Sequence, residues 1–357
     1  MSEAMSGAFG NPSSLHRMGY NSERLLDETR SEIAGMLGAR PDEIYFTSGG
    51  TEGNNTALFG AVSARKKRGN RIVTTSVEHP SVLEPIKRLE AEGFEVVRIK
   101  PQSDGTVSEE SIKKAINGKT ILVSIMLVNN ETGAVMPVKS ARRAIEAAGA
   151  PAILHCDCVQ AFGKMRINVK ELGADIITAS AHKIHGPKGI GFIYVKKGVT
   201  VLPLLWGGGQ ESGFRSGTQS VYDIYGLYGA IEAIGDIDKN LLKVKALRES
   251  AEKKLIKTGF VKINSPSDAL PFVLNFSVPG YRSETLLHFL EDKNVYVSSG
   301  SACSKGRGSY VLGEMGLPKD RIDSALRVSF SRYNTAYDVN ALLSAIEAAV
   351  TSLRRVK

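Results

Sequence analysis

Short apolar, β-branched runs alternate with amphipathic segments through the first two-thirds of this chain, and that alternation limits its possible folds more than any other feature. The apolar runs fall at residues 44–46, 71–75, 95–99, 120–127, 152–156, 175–179 and 191–195. Between them lie helical patterns at residues 22–37, 51–68, 80–92, 108–117 and 139–148. In the first of these, Ser22 reads as the N-cap and Leu26, Ile33 and Leu37 share one stripe. Strands that alternate with helices in this way imply an α/β fold, a mainly parallel sheet sandwiched by helices. Ligands of such sheets bind beyond the carboxyl ends of the strands.

Near residue 236 the pattern changes. A long charged helix over 238–257 leads to strands at 273–276, 295–298 and 327–331, then to a closing helix from Asp338. The expected division is a large domain, 1–235, and a smaller α+β domain, 236–357. A chain of 357 residues, 42% hydrophobic and 23% charged, can bury the cores of two such domains. No run of about 18 apolar residues suggests a membrane helix. Met1-Ser2-Glu3-Ala4 lacks the basic and apolar regions of a signal peptide, and three cysteines form no disulfide framework. Both points lead us to expect reduced thiols and a cytoplasmic location. The net charge of +9 is dispersed, with clusters only at Arg65-Lys66-Lys67-Arg68 and Arg354-Arg355. Without aromatic interleaving these read as solvated ends, so direct nucleic-acid binding is not expected, nor is a metal site.

Candidate chemistry gathers at strand ends. Lys183, in Ser180-Ala181-His182-Lys183-Ile184-His185-Gly186-Pro187, follows the run 175–179. A desolvated lysine there can deprotonate and form a Schiff base with a carbonyl cofactor, although a surface lysine in a Gly/Pro turn would look similar. Asp157 ends a hydrophobic run and needs a cationic or hydrogen-bonding partner such as a protonated pyridine nitrogen, unless it is a helix N-cap. Gln160, three residues on, is within reach of a ring hydroxyl. Thr47-Ser48-Gly49-Gly50-Thr51-Glu52 joins a strand to a helix, and its glycines and free N–H groups suit a phosphate. His79 is placed either to stack on a flat ring or to cap the next helix. Gly207-Gly208-Gly209-Gln210-Glu211 and Arg215-Ser216-Gly217-Thr218 form a second glycine and hydroxyl region, a further phosphate contact or a surface loop. Cys303 lies among small residues with Lys305 and Arg307 nearby, a setting that favours a thiolate, whereas Cys156 and Cys158 read as buried packing thiols. Arg327, a cation within an apolar strand, suits either a substrate carboxylate or a structural salt bridge.

Taken in order along the chain, these motifs resemble the cysteine desulfurases, pyridoxal-phosphate enzymes of the class V aminotransferase family with fold type I. The likeness also takes in Gly10-Asn11-Pro12-Ser13-Ser14-Leu15-His16 and Val128-Asn129-Asn130-Glu131, and it runs to about Thr335. The resemblance implies that Lys183 holds pyridoxal 5'-phosphate and shuttles protons. It implies that Asp157 pairs with the ring nitrogen, His79 stacks on the ring and Gln160 bonds its phenolic oxygen. Gly50, Thr51, Ser180 and His182 would bind the phosphate, with Thr218 contributed across a homodimer. Asn130 and Arg327 would hold the carboxylate of L-cysteine. Cys303 would take the substrate sulfur as a persulfide, release alanine and pass the sulfur to an acceptor protein for iron–sulfur cluster assembly or tRNA thiolation.

The chain departs from the family pattern in two places. Residues 1–5 match the interior of the first family helix, where relatives normally begin with a strand and a segment lining the active site. The loop from Cys303 to Tyr310-Val311-Leu312 is about two residues shorter than in the best-known iron–sulfur-assembly members and is unusually basic, which favours a different partner such as a tRNA-thiolation protein. Two other readings follow: a selenocysteine lyase, or an impaired binding subunit of a sulfur-transfer complex.

Overall fold

The computed structural model describes residues 1–300 and 308–355. Their first sheet has seven strands: β1 (Ile44–Thr47), β2 (Arg71–Thr75), β3 (Glu95–Ile99), β4 (Thr120–Ser124), β5 (Ile153–Asp157), β6 (Ile176–Ser180) and β7 (Gly191–Val195). Their order is β1-β7-β6-β5-β4-β2-β3. From β6 to β3 every pairing is parallel, and β7 alone is reversed, lying antiparallel to both β6 and β1. The α/β fold with a mainly parallel sheet is therefore as expected. Because only β7 is reversed, β1, β2, β4, β5 and β6 end on one edge.

Every residue of β4 to β7 is buried, as continuous apolar runs covered on both faces require. Ala57, Leu58, Ala61 and Val62 of the helix Gly50–Arg65 share one stripe and pack on Ile72, Leu122, Ile176 and Ile193.

The first long helix runs from Arg17 to Leu37 and starts before the expected Ser22. His16 is its N-cap, accepting from Gly19 N–H, while Ser22 is buried inside the helix and donates to Ala8 O at 3.1 Å. A Cβ on Gly19 would lie 2.1 Å from Ser14 O. The glycine permits that close approach.

The chain forms two compact units, each with its own sheet. The unit with the seven-stranded sheet comprises Met1–Ile99, Glu109–Leu127 and Pro137–Ile237. The other takes Lys100–Ser108, Val128–Met136 and the described residues from Asp238 onward. Its antiparallel sheet has the order β10-β9-β8, with β8 (Lys262–Ile263), β9 (Val273–Ser277) and β10 (Ala325–Ser329). The strand expected at 295–298 is not formed. Asn294 turns the chain with a left-handed φ of 59°, leaving a single bridge between Ser298 and Arg327. Asp338 caps the closing helix, Ala336–Ser352, by accepting from Thr335 N–H at 2.7 Å. Among the described residues no helix is long and apolar enough to cross a membrane.

Candidate active site

Four chain segments leave the shared edge of the first sheet: residues 48–51 after β1, 76–79 after β2, 157–160 after β5 and 180–183 after β6. Gly49 has a φ of 142°, and a Cβ on Gly50 would lie 2.7 Å from Val159 Cγ2. Only glycine fits this approach, and it leaves the first N–H groups of the helix Gly50–Arg65 to face an anion. Thr51 is exposed in that first turn. Ser180 ends β6, and its hydroxyl shares a 2.8 Å hydrogen bond with His182 Nδ1. Burial and then the charges of Lys183, Lys188 and Lys164 hold the His182 ring below its ordinary pKa.

Glu52 would oppose an anion here if it were not neutralised. Burial raises its pKa, but the Arg215 fork at 2.8 and 3.2 Å and Ser48 N–H at 2.9 Å prevail and lower it. The same pair ties Arg215-Ser216-Gly217-Thr218 to the glycine loop, with Thr218 exposed beyond it.

Asp157 closes β5 and is 5% exposed. Burial raises its pKa against the Val159 N–H, Asn54, His79 and Lys183, which all lower it. It accepts from Val159 N–H at 2.9 Å and from Asn54 Nδ2 at 2.7 Å. His79 caps the helix Pro80–Ala91 by accepting from Ser81 N–H, so the capping role is real. Burial lowers the pKa of its ring, Asp157 raises it and Lys183 lowers it further. Lys183 lies in the turn Ala181–Ile184 after β6, near enough for its charge to act on both Asp157 and His79. Gln160 accepts from Lys164 Nζ at 3.2 Å. Lysine, imidazole and buried carboxylate thus converge beside a phosphate-sized cradle.

Glu78 is completely buried next to His79, and burial pushes its carboxyl up to about 8. Its oxygens accept from Thr75 Oγ1 at 2.7 Å and Met126 N–H at 3.0 Å. Cys156 and Cys158 are buried with sulfurs 3.6 Å apart, and burial raises the Cys156 thiol well above its usual range.

In the second unit, Arg327 donates to Asn130 O at 3.0 Å and to Ser298 Oγ at 3.3 Å. Asn130 Oδ1 is buried without a protein partner, as a residue waiting for a polar ligand would be. Glu131 beside it accepts from the Ser309 hydroxyl. Burial raises its pKa, against Ser309 and Arg327. Cys303 lies outside the described residues.

Sequence reasoning missed Asn54, Ser81, Glu78 and Glu131. For Asn54 a signal existed: it lies four residues before Leu58 and seven before Ala61, on the buried stripe of its helix.

The described residues fit pyridoxal phosphate. The cradle suits its phosphate, the buried Asp157 suits a cationic ring nitrogen, and Lys183 is close to both. The sequence profile of the aminotransferase class-V family matches residues 1–342. The cysteine desulfurase IscS of Dictyoglomus turgidum is 39% identical over 356 residues, 98% of this chain and 89% of its own. A putative cysteine desulfurase, IscS 1 of Bacillus subtilis, is 40% identical, covering 98% of this chain and 93% of its own. Among solved structures, a NifS-like protein superposes with a TM-score of 0.93 at 36% identity, over 99% of this chain and 94% of that one. SspA in complex with cysteine superposes with a TM-score of 0.81 at 32% identity, over 93% and 94%.

Proposed function

The chain belongs to the aminotransferase class-V family and is a cysteine desulfurase, and from that premise we propose a role for each residue of the site. Enzymes of this kind depend on pyridoxal phosphate, act on L-cysteine and hand sulfur to an acceptor. When bound, the cofactor supplies an electron-withdrawing ring that stabilises negative charge at the substrate's α-carbon. Lys183 holds the cofactor covalently, then takes the α-proton and returns it. Asp157 keeps the ring nitrogen protonated by charge pairing, His79 stacks on the ring, and Gln160 bonds its phenolic oxygen. Gly50, Thr51, Ser180 and His182 cradle the phosphate.

Asn130 and Arg327 hold the substrate carboxylate, the guanidinium by its fork and the amide by its Nδ2–H donors. The Cys303 thiolate attacks the cysteine sulfur. A sulfur–sulfur bond forms as the substrate's carbon–sulfur bond breaks, and the electron pair stays with the carbon skeleton. Protonated, that skeleton leaves as alanine, and the persulfide passes its outer sulfur to an acceptor that serves iron–sulfur cluster assembly or tRNA thiolation.

A homodimer completes the phosphate site with Thr218 of each chain. Two observations support it: the exposed Thr218 tethered through Arg215, and exposed apolar side chains at Leu15, Leu202, Leu204, Leu205 and Trp206.

The observation that carries this reading is the convergence of Lys183, Asp157 and His79 at the ends of β6, β5 and β2 in one sheet. Cys303→Ala should abolish persulfide on the enzyme, read by mass spectrometry after L-cysteine, and lower turnover by about a hundredfold or more. Full turnover in that variant would remove Cys303 from the mechanism.

A further inference from the structure

A buried chain of side-chain hydrogen bonds runs behind Asp157 and His79, and chemistry fixes the direction of every link. The Thr178 hydroxyl lies 2.5 Å from Asn54 Oδ1, which can only accept. Its single proton is thereby used, so toward His155 Nε2 at 3.3 Å it must accept, and that nitrogen carries a proton. His155 is fully buried, which lowers its pKa to about 3, so the ring is neutral and its Nδ1 accepts from Ser124 Oγ at 2.9 Å.

Asn54, 1% exposed, has two N–H donors. They go to Asp157 Oδ2 at 2.7 Å and Ser81 Oγ at 2.8 Å. The opposite amide orientation would set two acceptor oxygens against each other at Asp157, so the carboxylate decides it. Ser81, having accepted, donates to His79 Nδ1 at 2.8 Å, and its backbone N–H points to the same nitrogen at 3.1 Å. Nδ1 is an acceptor twice over, and the proton of the neutral ring is on Nε2.

We infer that Asn54 and Ser81 are positioning residues: Asn54 aims the Asp157 carboxylate and, through Ser81, holds His79 as its Nε2–H tautomer. The inference rests on the proposed roles of Asp157 and His79. The charges facing His79 are Asp157, which favours the imidazolium, and Lys183, which opposes it. The two donors to Nδ1 side with Lys183, because they require the lone pair that a proton would occupy. The ring therefore presents one donor and no charge to the pocket, and Asp157 is aimed before any cofactor binds.

The test is imidazole nitrogen NMR on the full chain, with and without pyridoxal phosphate, alongside cofactor titrations of wild type, Asn54→Ala and Ser81→Ala. His79 of the wild type should show an unprotonated Nδ1. Ser81→Ala should raise the His79 titration midpoint by roughly half a pH unit or more, the worth of one hydrogen bond. Asn54→Ala should weaken cofactor binding about tenfold to a hundredfold, with Ser81→Ala far less affected. A wild-type His79 protonated on Nδ1 would overturn the inference. So would a Ser81→Ala midpoint equal to that of wild type, and that variant decides the matter if Asn54→Ala does not fold. Wild-type protein that binds no cofactor would instead sink the proposed function, while the tautomer still judged the network.

Discussion

Two ionisable groups at the site are held away from their solution charge by burial, and each tilts the stability of the protein with pH. Glu78, at about 8, binds a proton in the folded chain that it has lost in the unfolded chain once pH exceeds the ordinary glutamate value. Its contribution is complete at acid pH and declines as pH rises through about 8. His155 acts oppositely: with a folded pKa of about 3, it adds stability above the ordinary histidine value that is lost as pH falls. Urea denaturation of Glu78→Gln between mildly acid and mildly alkaline pH should therefore show a flatter profile than wild type, by a few kcal/mol on the order-of-magnitude scale of such burial. Parallel profiles would mean that Glu78 is ionised in the fold. Legibility at this scale followed sequence distance. Lys183, Asp157 and His79 stood out because each bears chemistry at the end of an apolar run. Asn54 did not, because the carboxylate that explains it lies 103 positions away and the residue alone reads as a polar helix position.

Strand and helix boundaries were readable wherever an apolar period met a glycine or a cap, as at β2, β3 and β7. They were misread at Ser22, expected as an N-cap but lying inside a helix that begins at Arg17, and where a single left-handed residue, Asn294, dissolved a strand. Close approach governs the start of β7. A Cβ on Gly191 would lie 2.4 Å from Ala179 O and 2.8 Å from Gly49 Cα, in the phosphate cradle itself. Gly191→Ala should cost about 1–3 kcal/mol in denaturation and weaken cofactor binding with it, since relieving both clashes displaces Ala179 and Gly49. Unchanged affinity would show that the cradle tolerates the shift. Glu211 fastens the following loop: it takes the partly buried Arg30 fork at 3.0 and 3.1 Å and the buried Phe46 N–H at 2.9 Å. Replacing Arg30 with methionine leaves that carboxylate uncompensated and should destabilise by about 3–5 kcal/mol, a loss that thermal unfolding would reveal. A loss under about 1 kcal/mol would show that Glu211 finds another partner.

For the molecule as a whole, the alternation of strands and helices announced the α/β sheet, and ordered motifs announced the family. What a linear reading could not register was that Lys100–Ser108 and Val128–Met136 join the second unit, since both are short excursions between elements of the first. That placement puts Asn130 with Arg327 and Glu131 with Ser309 inside one compact unit. The homodimer is tested by sedimentation at micromolar concentration, where the account expects a two-chain species, and where Trp206→Asp should shift the balance to monomer. The most direct measurement is of alanine released from L-cysteine by the purified chain with pyridoxal phosphate, set beside its Lys183→Ala variant and read with the cofactor's visible absorbance. The account predicts that alanine accumulates with a change in that absorbance in the wild type and that neither occurs in the variant. Alanine formed equally by both, or by neither, would contradict it.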